Sequence, residues 1–353
     1  MKILVVGDGH SVIHERAVAN AFKKLGHQVK TFYWFKYFQS CNRIKLQWNK
    51  AQNKFLVGPI IKKLNQDLYK LAIKFKPKLI FVYRGTHLIP KTLEDIKLVI
   101  SECKIFGYNN DDPFSKDHPF WIWRNFIKSI PFYDLIFAYR HHNLNDLKKE
   151  GAKSVALLRS WFIPELNFST SLSNKEKSKY SSDVVFVGHY EKDGRLEYLE
   201  EIVKAGYVLK IFGPSTDWNK IIFKSKVLKH LYPIYPVWKL KYNKAISGAK
   251  IALCFFSKLN RDTYTRRCFE ITATGTMLLS EYSKDMCLLF QKRKEVDLFK
   301  SKKEMINKIK FYIKNNKLRK KIARMGRQRV INDGHDIVSR MKIVINCYNA
   351  NNR

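Results

Sequence analysis

Residues 250–290, KIALCFFSKLNRDTYTRRCFEITATGTMLLSEYSKDMCLLF, constrain the fold more tightly than any other stretch of the chain. They read as a buried strand (251–256), a polar loop (257–263), a short helix carrying Thr265, Arg266, Arg267 and Glu270, a turn at Gly275 and a second strand (277–280). That succession belongs to an open α/β sheet, whose ligands bind where loops and helix starts leave the carboxyl ends of the strands. An anion in that place meets helix amides and both arginines. A carboxylate there suits hydroxyls instead, and Glu270 can accept two hydrogen bonds from a sugar diol. Asp262, eight residues earlier, puts a second acid in the loop. Arginines for a diphosphate and a carboxylate for ribose make a nucleotide-sugar site. The same residues would equally form an amphipathic turn whose Arg–Glu pairs lie in solvent.

A chain of 353 residues exceeds the size at which one core stops growing, so two domains are expected. Formal net charge is +37, from 67 basic and 30 acidic residues. Such a surface favours polyanions: nucleic acid, anionic lipid headgroups or phosphorylated glycans. The excess is concentrated. Between Lys36 and Lys78 there are 11 basic residues and one acid, and between Lys300 and Arg329 there are 13 and one. A lysine-rich coding bias would raise the lysine count too, but it explains the near-absence of acids less well. The six cysteines show no paired spacing, which points to a reducing cytosol. No signal peptide or membrane span is read, so any membrane contact would be peripheral.

The amino-terminal half opens as β-α-β. An apolar strand (2–6) runs into GDGHS, and a helix follows with Ala17, Val18, Ala21, Phe22 and Leu25 on one face. Gly7 and Gly9 fall short of the three-glycine fingerprint, which disfavours a nicotinamide or flavin dinucleotide. His10 and His14 stand at or just after the strand end. An imidazole there can act as a base near neutral pH, or simply belong to the loop and helix start. Basic residues interleave with aromatics over 34–78, suiting nucleic acid or an anionic membrane surface, or core. Within that span, 61–74 carries a helical stripe of Leu64, Leu68, Leu71 and Ala72. Further strands are expected at 79–83, 104–108, 134–139 and 154–158. The second of these runs into NNDDP, where Asp112 would accept a proton from a hydroxyl or cap the next helix. His141 and His142 complete no zinc spacing, so no metal is expected.

Residues 161–180 lose apolar periodicity and read as the connection between domains. The strand pattern then restarts. Strands at 183–187 and 208–212 end in Gly188 and Gly213, where backbone passes close to a ligand or merely turns. A helix at 238–247 carries Tyr242 into the central stretch. The last helix, 337–348, would cross back to the first domain.

The second half resembles the glycosyltransferases related to the spore maturation protein CgeB, a branch of the two-Rossmann-domain (GT-B) transferases. The resemblance is carried by VVFVG at 184–188, the helix around Tyr242 and Asn243, TRRCFEITATGTMLLSE at 265–281, Glu295 and IARMGRQRV at 322–330, and more loosely by NNDDP at 109–113. It implies an α/β fold of two Rossmann-like domains facing across a cleft: an acceptor domain over 1–165, a linker at 166–181, a nucleotide-sugar domain over 182–335 and a final helix at 336–353. It implies a nucleotide-sugar donor, with Glu270 by the ribose, Arg266 or Arg267 on the diphosphate, and Gly275 keeping the backbone near the base or ribose. Thr265, Tyr242, Gly188 and Gly213 complete the donor side. The first acid of the family's E-x7-E pattern falls on Asp262, a departure. His10 is the nearest match to the histidine base of some transferases with this fold, with Asp112 and His14 as rivals. No permanently bound cofactor is implied, and no metal is required, since arginines and a helix terminus can meet the diphosphate charge.

The expected reaction is glycosyl transfer from a nucleoside-diphosphate sugar to an acceptor hydroxyl. The charge suggests an anionic or membrane-linked glycan as acceptor, at the cytoplasmic face of a membrane. Two alternatives stand beside it: a nucleic-acid-binding protein or transferase of modified DNA bases, and a non-catalytic carbohydrate-binding or scaffold module of the same fold.

Overall fold

A computed structural model describes residues 1–350. Its contacts divide the chain into two units, Trp161–Asp336 and the segments flanking it. The first unit is built on six short strands: β1 (Lys2–Gly7), β2 (Gln28–Tyr33), β3 (Leu79–Tyr83), β4 (Lys104–Asn109), β5 (Leu135–Ala138) and β6 (Val155–Leu157). They form one parallel sheet in the order β2-β1-β3-β4-β5-β6. A parallel sheet is covered on both faces, so its central strands must be apolar throughout. Every residue of β3 is accordingly buried.

The crossovers of this unit are α1 (Glu15–Lys24), α2 (Arg43–Phe55), α3 (Pro59–Phe75), α4 (Pro90–Val99), α5 (Phe120–Ser129) and α6 (His141–Lys149). In α3, Pro59 opens the first turn, where its missing N–H costs nothing. Ile61, Leu64, Leu68, Ala72 and Phe75 then face the core. The larger of these contribute about 1.5–3 kcal/mol each by burial. The sequence reading placed one helix in 34–78; the structure adds α2, whose inward residues are polar.

The second unit repeats the architecture. Its strands are β7 (Ser182–Val187), β8 (Leu209–Phe212), β9 (Ala249–Cys254), β10 (Met277–Glu281) and β11 (Asp297–Phe299). All pairs are parallel, in the order β11-β10-β9-β7-β8. The region read as a featureless connection holds α7 (Asn174–Tyr180), begun by a capping box between Ser173 and Glu176, and a fully buried Trp161. The remaining helices are α8 (Arg195–Lys204), α9 (Ser215–Lys224), α10 (Leu240–Ser247), α11 (Arg266–Ala273), α12 (Lys284–Leu289), α13 (Lys302–Lys314) and α14 (Asn316–Asn332). The two ends of the unit are tied where Phe162 N donates to His335 O at 3.0 Å. The last helix, α15 (Ile337–Ala350), packs on α1 of the first unit. Among the described residues no helix is long and apolar enough to cross a membrane.

Candidate active site

In a doubly wound sheet the binding crevice lies where strand order reverses. That point falls between β1 and β3 in the first unit and between β7 and β9 in the second. At the second, Gly188 follows β7, and the chain after β9 runs through a loop to Thr265, which enters α11 in extended conformation (φ −132°). The first amides of α11 have no partner within the helix, so its start is a natural anion site.

Glu270 lies one turn into α11 and is buried. Tyr242 Oη donates to its Oε2 at 3.0 Å, and Arg266 Nε donates to its Oε1 at 3.0 Å. Each oxygen keeps a further lone pair, so the carboxylate is fixed in place without being saturated. Burial, and then the Glu270 charge, push the Tyr242 phenol well above its ordinary pKa, so it stays a donor. Burial opposes the charge on Arg267, but Cys254, Tyr242 and Glu270 beside it outweigh that and hold its pKa above the usual value. Arg267 Nε is buried without a hydrogen-bond partner. Beneath it, Cys254 Sγ lies 3.4 Å from Thr265 Oγ1 and 3.8 Å from Cys268 Sγ.

The predicted glycines are needed for packing. A Cβ on Gly188 would stand 2.9 Å from Phe186 Cζ and 3.0 Å from Arg267 Nη1, and one on Gly213 would overlap the Gly188 carbonyl oxygen. Backbone therefore requires glycine at 213, whereas at 188 the ends of the Phe186 and Arg267 side chains would have to shift. Gly275 sits at the other end of α11, where φ of +77° serves the turn into β10. Asp262 belongs to a neighbouring cavity of about 500 Å³, with Phe256, Lys258, Arg261 and Glu281 in its wall. Glu281 accepts from Phe256 N at 2.6 Å, and burial raises its pKa. Direct contacts thus join Glu270 to Tyr242 and Arg266, and Gly188 to Gly213 and Arg267, with Thr265 at the start of the same helix. Asp262 lies beside this group, and Gly275 lies apart from it.

In the first unit, His10 lies in the loop after β1 with its side chain half exposed, and its Nδ1 pairs with the Asp8 carboxylate. The ring's other nitrogen is directed away from that pair, as in any imidazole held through one nitrogen. His14 precedes α1, its ring stacked on Tyr83 at 5.4 Å. Asp112 is fully buried. Its Oδ1 accepts from Phe114 N at 3.1 Å and Asn143 Nδ2 at 2.9 Å, while Oδ2 meets His142 Nε2 at 3.2 Å. Both oxygens of Asp112 are thus engaged, in its own turn and with Asn143 and His142. Donor atoms of Asp112, His142 and Asp146 lie within 4.8 Å of one another. Asn143 Nδ2 donates to both carboxylates, so an amide does there what a cation would do.

Three groups escaped the sequence reading. Asp8, two residues from His10, was visible as a neighbour but not as a partner. Glu15 carries no signal in the sequence; it is buried against Gly7, Asp8 N donates to its Oε1 at 3.2 Å, and burial raises its pKa. His142 needed the fold, since its acid lies 30 residues away.

Residues 195–346 match the model of a family described as glycosyl transferase-like. No curated protein matches the chain in sequence. Among solved structures, Anabaena HepE in complex with UDP-glucose is similar over 99% of this chain and 100% of that one, at 12% identity and a TM-score of 0.69. A sucrose-phosphate synthase from Thermosynechococcus elongatus gives a TM-score of 0.69 at 10% identity over 99% of each chain. A glycosyltransferase from Rickettsia africae gives 0.66 at 12% identity over 98% of this chain and 97% of its own. At such identities the likeness is one of fold. It is the two-Rossmann-unit fold on which the GT-B class is built, and it does not single out the CgeB-like branch.

Proposed function

We propose that this chain transfers a sugar from a nucleoside-diphosphate sugar to an acceptor hydroxyl, and that it does so as a member of the CgeB-like branch. The observation that carries the reading is Glu270, a buried carboxylate fixed by Tyr242 and Arg266 at the strand-order reversal, one turn from a helix start beside Arg267. Glu270 takes the ribose hydroxyls. Arg267, Arg266 and the first amides of α11 take the diphosphate, and Asp262 in the adjoining cavity meets the sugar. HepE was solved with UDP-glucose, so uridine diphosphate is the first donor to test.

Chemistry follows from these placements. The acceptor oxygen attacks the anomeric carbon as the bond to the diphosphate oxygen breaks. Negative charge grows on the leaving diphosphate and is met by guanidinium groups and helix amides, without a metal. His10 takes the acceptor proton, with Asp8 orienting the ring and stabilising the imidazolium, as a carboxylate does in any acid–imidazole pair. His14 packs the strand end, and Asp112 positions His142. The acceptor is an anionic or membrane-linked glycan held by the first unit, reached from the cytoplasmic face of a membrane through the basic and aromatic residues of 34–78.

A thermal-shift screen of UDP, GDP, ADP, TDP, CMP and their sugar conjugates tests the donor half. Protection by one nucleoside diphosphate and its sugar conjugate is expected. Protection by none of them would overturn the reading.

A further inference from the structure

Helix α2 is built inside out. Its buried residues are Asn49 and Gln52, and its exposed ones include Ile44, Trp48 and Phe55. Ile44 is 83% exposed and Trp48 61%. With Ala51 these residues recur at helical spacing and so form one stripe along the outer face. The rotation of the helix is fixed from within. Asn42 caps it by accepting from Lys45 N at 3.0 Å, Asn49 Nδ2 reaches Phe38 O at 3.4 Å, and Gln52 Oε1 accepts from Ile60 N at 2.8 Å. Turning the stripe inward would break the last two bonds and strand their polar groups.

The apolar face continues onto α5. The Trp121 ring lies 5.8 Å from that of Phe55, Phe120 beside it is 80% exposed, and Arg124 Nη2 donates to Phe55 O at 2.8 Å, tying the two helices together. Single exposed apolar side chains need no explanation, but a continuous run of large ones marks a surface that meets something.

Charge says what it meets. No Asp or Glu occurs between Glu15 and Asp67. Arg43, Lys45, Lys50 and Lys54 on α2 are all exposed. A second copy of this chain seated on the same face would set those four cations against four more. A bilayer with anionic headgroups satisfies both halves at once, with Trp, Phe and Ile at the acyl boundary and Lys and Arg among the phosphates. The other basic run, 300–329, differs in kind. Arg319 Nη1 there donates to Tyr312 O at 2.7 Å, and Arg329 pairs with Asp333 at 3.0 Å, so these cations are partly spent inside the fold.

We infer that the outer face of α2, with Phe120 of α5, is a docking surface for anionic phospholipid bilayers. This deepens the acceptor half of the function proposed above, yet its test needs no turnover. The protein is sedimented with vesicles of equal parts phosphatidylglycerol and phosphatidylcholine, and with vesicles of phosphatidylcholine alone. Binding to the first and not the second is expected, and Ile44→Glu/Trp48→Glu should lower it by more than about tenfold. Because both positions are exposed, the melting temperature should stay within about 2 °C of the parent. Should that variant fail to fold, Trp48→Phe decides: brominated phosphatidylglycerol should quench less of the tryptophan emission than in the parent. No vesicle binding, or binding that both substitutions leave unchanged, would overturn the inference. So would self-association that Ile44→Glu/Trp48→Glu abolishes in the absence of vesicle binding, since the face would then join two copies. UDP protection measured on the same samples reports the donor site separately, so one reading can fail without the other.

Discussion

Replacing Glu270 by glutamine separates the donor-binding role proposed for this residue from its structural one. A hydrogen bond to a charged group contributes roughly 1.5–3 kcal/mol. Losing about 2 kcal/mol of ribose contact weakens nucleotide binding about thirtyfold. At a UDP concentration about one hundred times the parent's dissociation constant, ligand binding stabilises the parent by about 2.7 kcal/mol. The variant at the same concentration should retain only about 0.9 kcal/mol of that protection. Glutamine also leaves Tyr242 and Arg266 with a weaker acceptor, so the unliganded variant should itself be less stable. Tyr242→Phe is the control. It removes the 3.0 Å bond to Oε2 but leaves the carboxylate. It should cost about 1 kcal/mol of stability while keeping nearly the full UDP shift. The assay is thermal unfolding with and without UDP for the parent and both variants. A full UDP shift in Glu270→Gln would refute the ribose assignment, whatever happened to the unliganded melting temperature.

Other consequences are equally direct. His10→Ala should lower turnover by about 10²–10³-fold with UDP affinity unchanged, and steady-state kinetics would show it; a larger loss in His142→Ala would move the base to the pair held by Asp112. Gly213→Ala should destabilise by about 1–3 kcal/mol in urea titrations, because its Cβ must displace the Gly188 carbonyl. Gly275→Ala meets nothing nearer than Arg327 Cδ at 3.7 Å, so it should cost only the about 1–2 kcal/mol of a left-handed backbone. His87 is stacked on Trp34 and hydrogen-bonded to Asn53, and burial, helped by the Arg84 charge, lowers its pKa from 6.5 to about 3. Its unfolded form therefore takes up a proton below pH 6.5 that the native form refuses. Stability present above that pH should fall by about 2 kcal/mol on going to pH 5, and the fall should be absent in His87→Gln. Equal pH slopes for the two proteins would remove His87 as the cause.

The two sheets were legible because a parallel strand is covered on both faces and so appears as an unbroken apolar run. LIFVY at β3 and VVFV within β7 could hardly be anything else. Helix α3 was legible for the complementary reason, since Leu64, Leu68 and Ala72 face the core at helical spacing. The group around Glu270 was legible in part. Arg266 and Glu270 are four apart on one helix, and their pairing follows from that geometry. Tyr242 was marked as a residue of the site, but its bond to Glu270 spans 28 positions and depends on α10 lying against β7 and β9. The burial of Asp112 was illegible, because an acid after a strand caps exposed turns far more often than it anchors a histidine from the next crossover.

Helix α2 shows the limit of pattern reading most sharply. Reading a helix from apolar periodicity assumes that the apolar face is the inner one. In 43–55 the periodic apolar residues Ile44, Trp48 and Phe55 are present, but the core beneath offers carbonyls and amides rather than hydrocarbon, so Asn49 and Gln52 turn inward. A free chain would lose stability by leaving Trp48 and Ile44 in water, at about 25 cal/mol for each Å² of apolar surface. Such a loss is retained in a folded protein when something outside the chain removes that surface from water. Arg267 breaks a rule of another kind, because its Nε is buried without a partner. A local rule is broken in each unit, by an apolar stripe facing water in one and an unmet guanidinium donor in the other. The first break finds its compensation if a bilayer covers the stripe, whereas Arg267 Nε is enclosed by the protein itself.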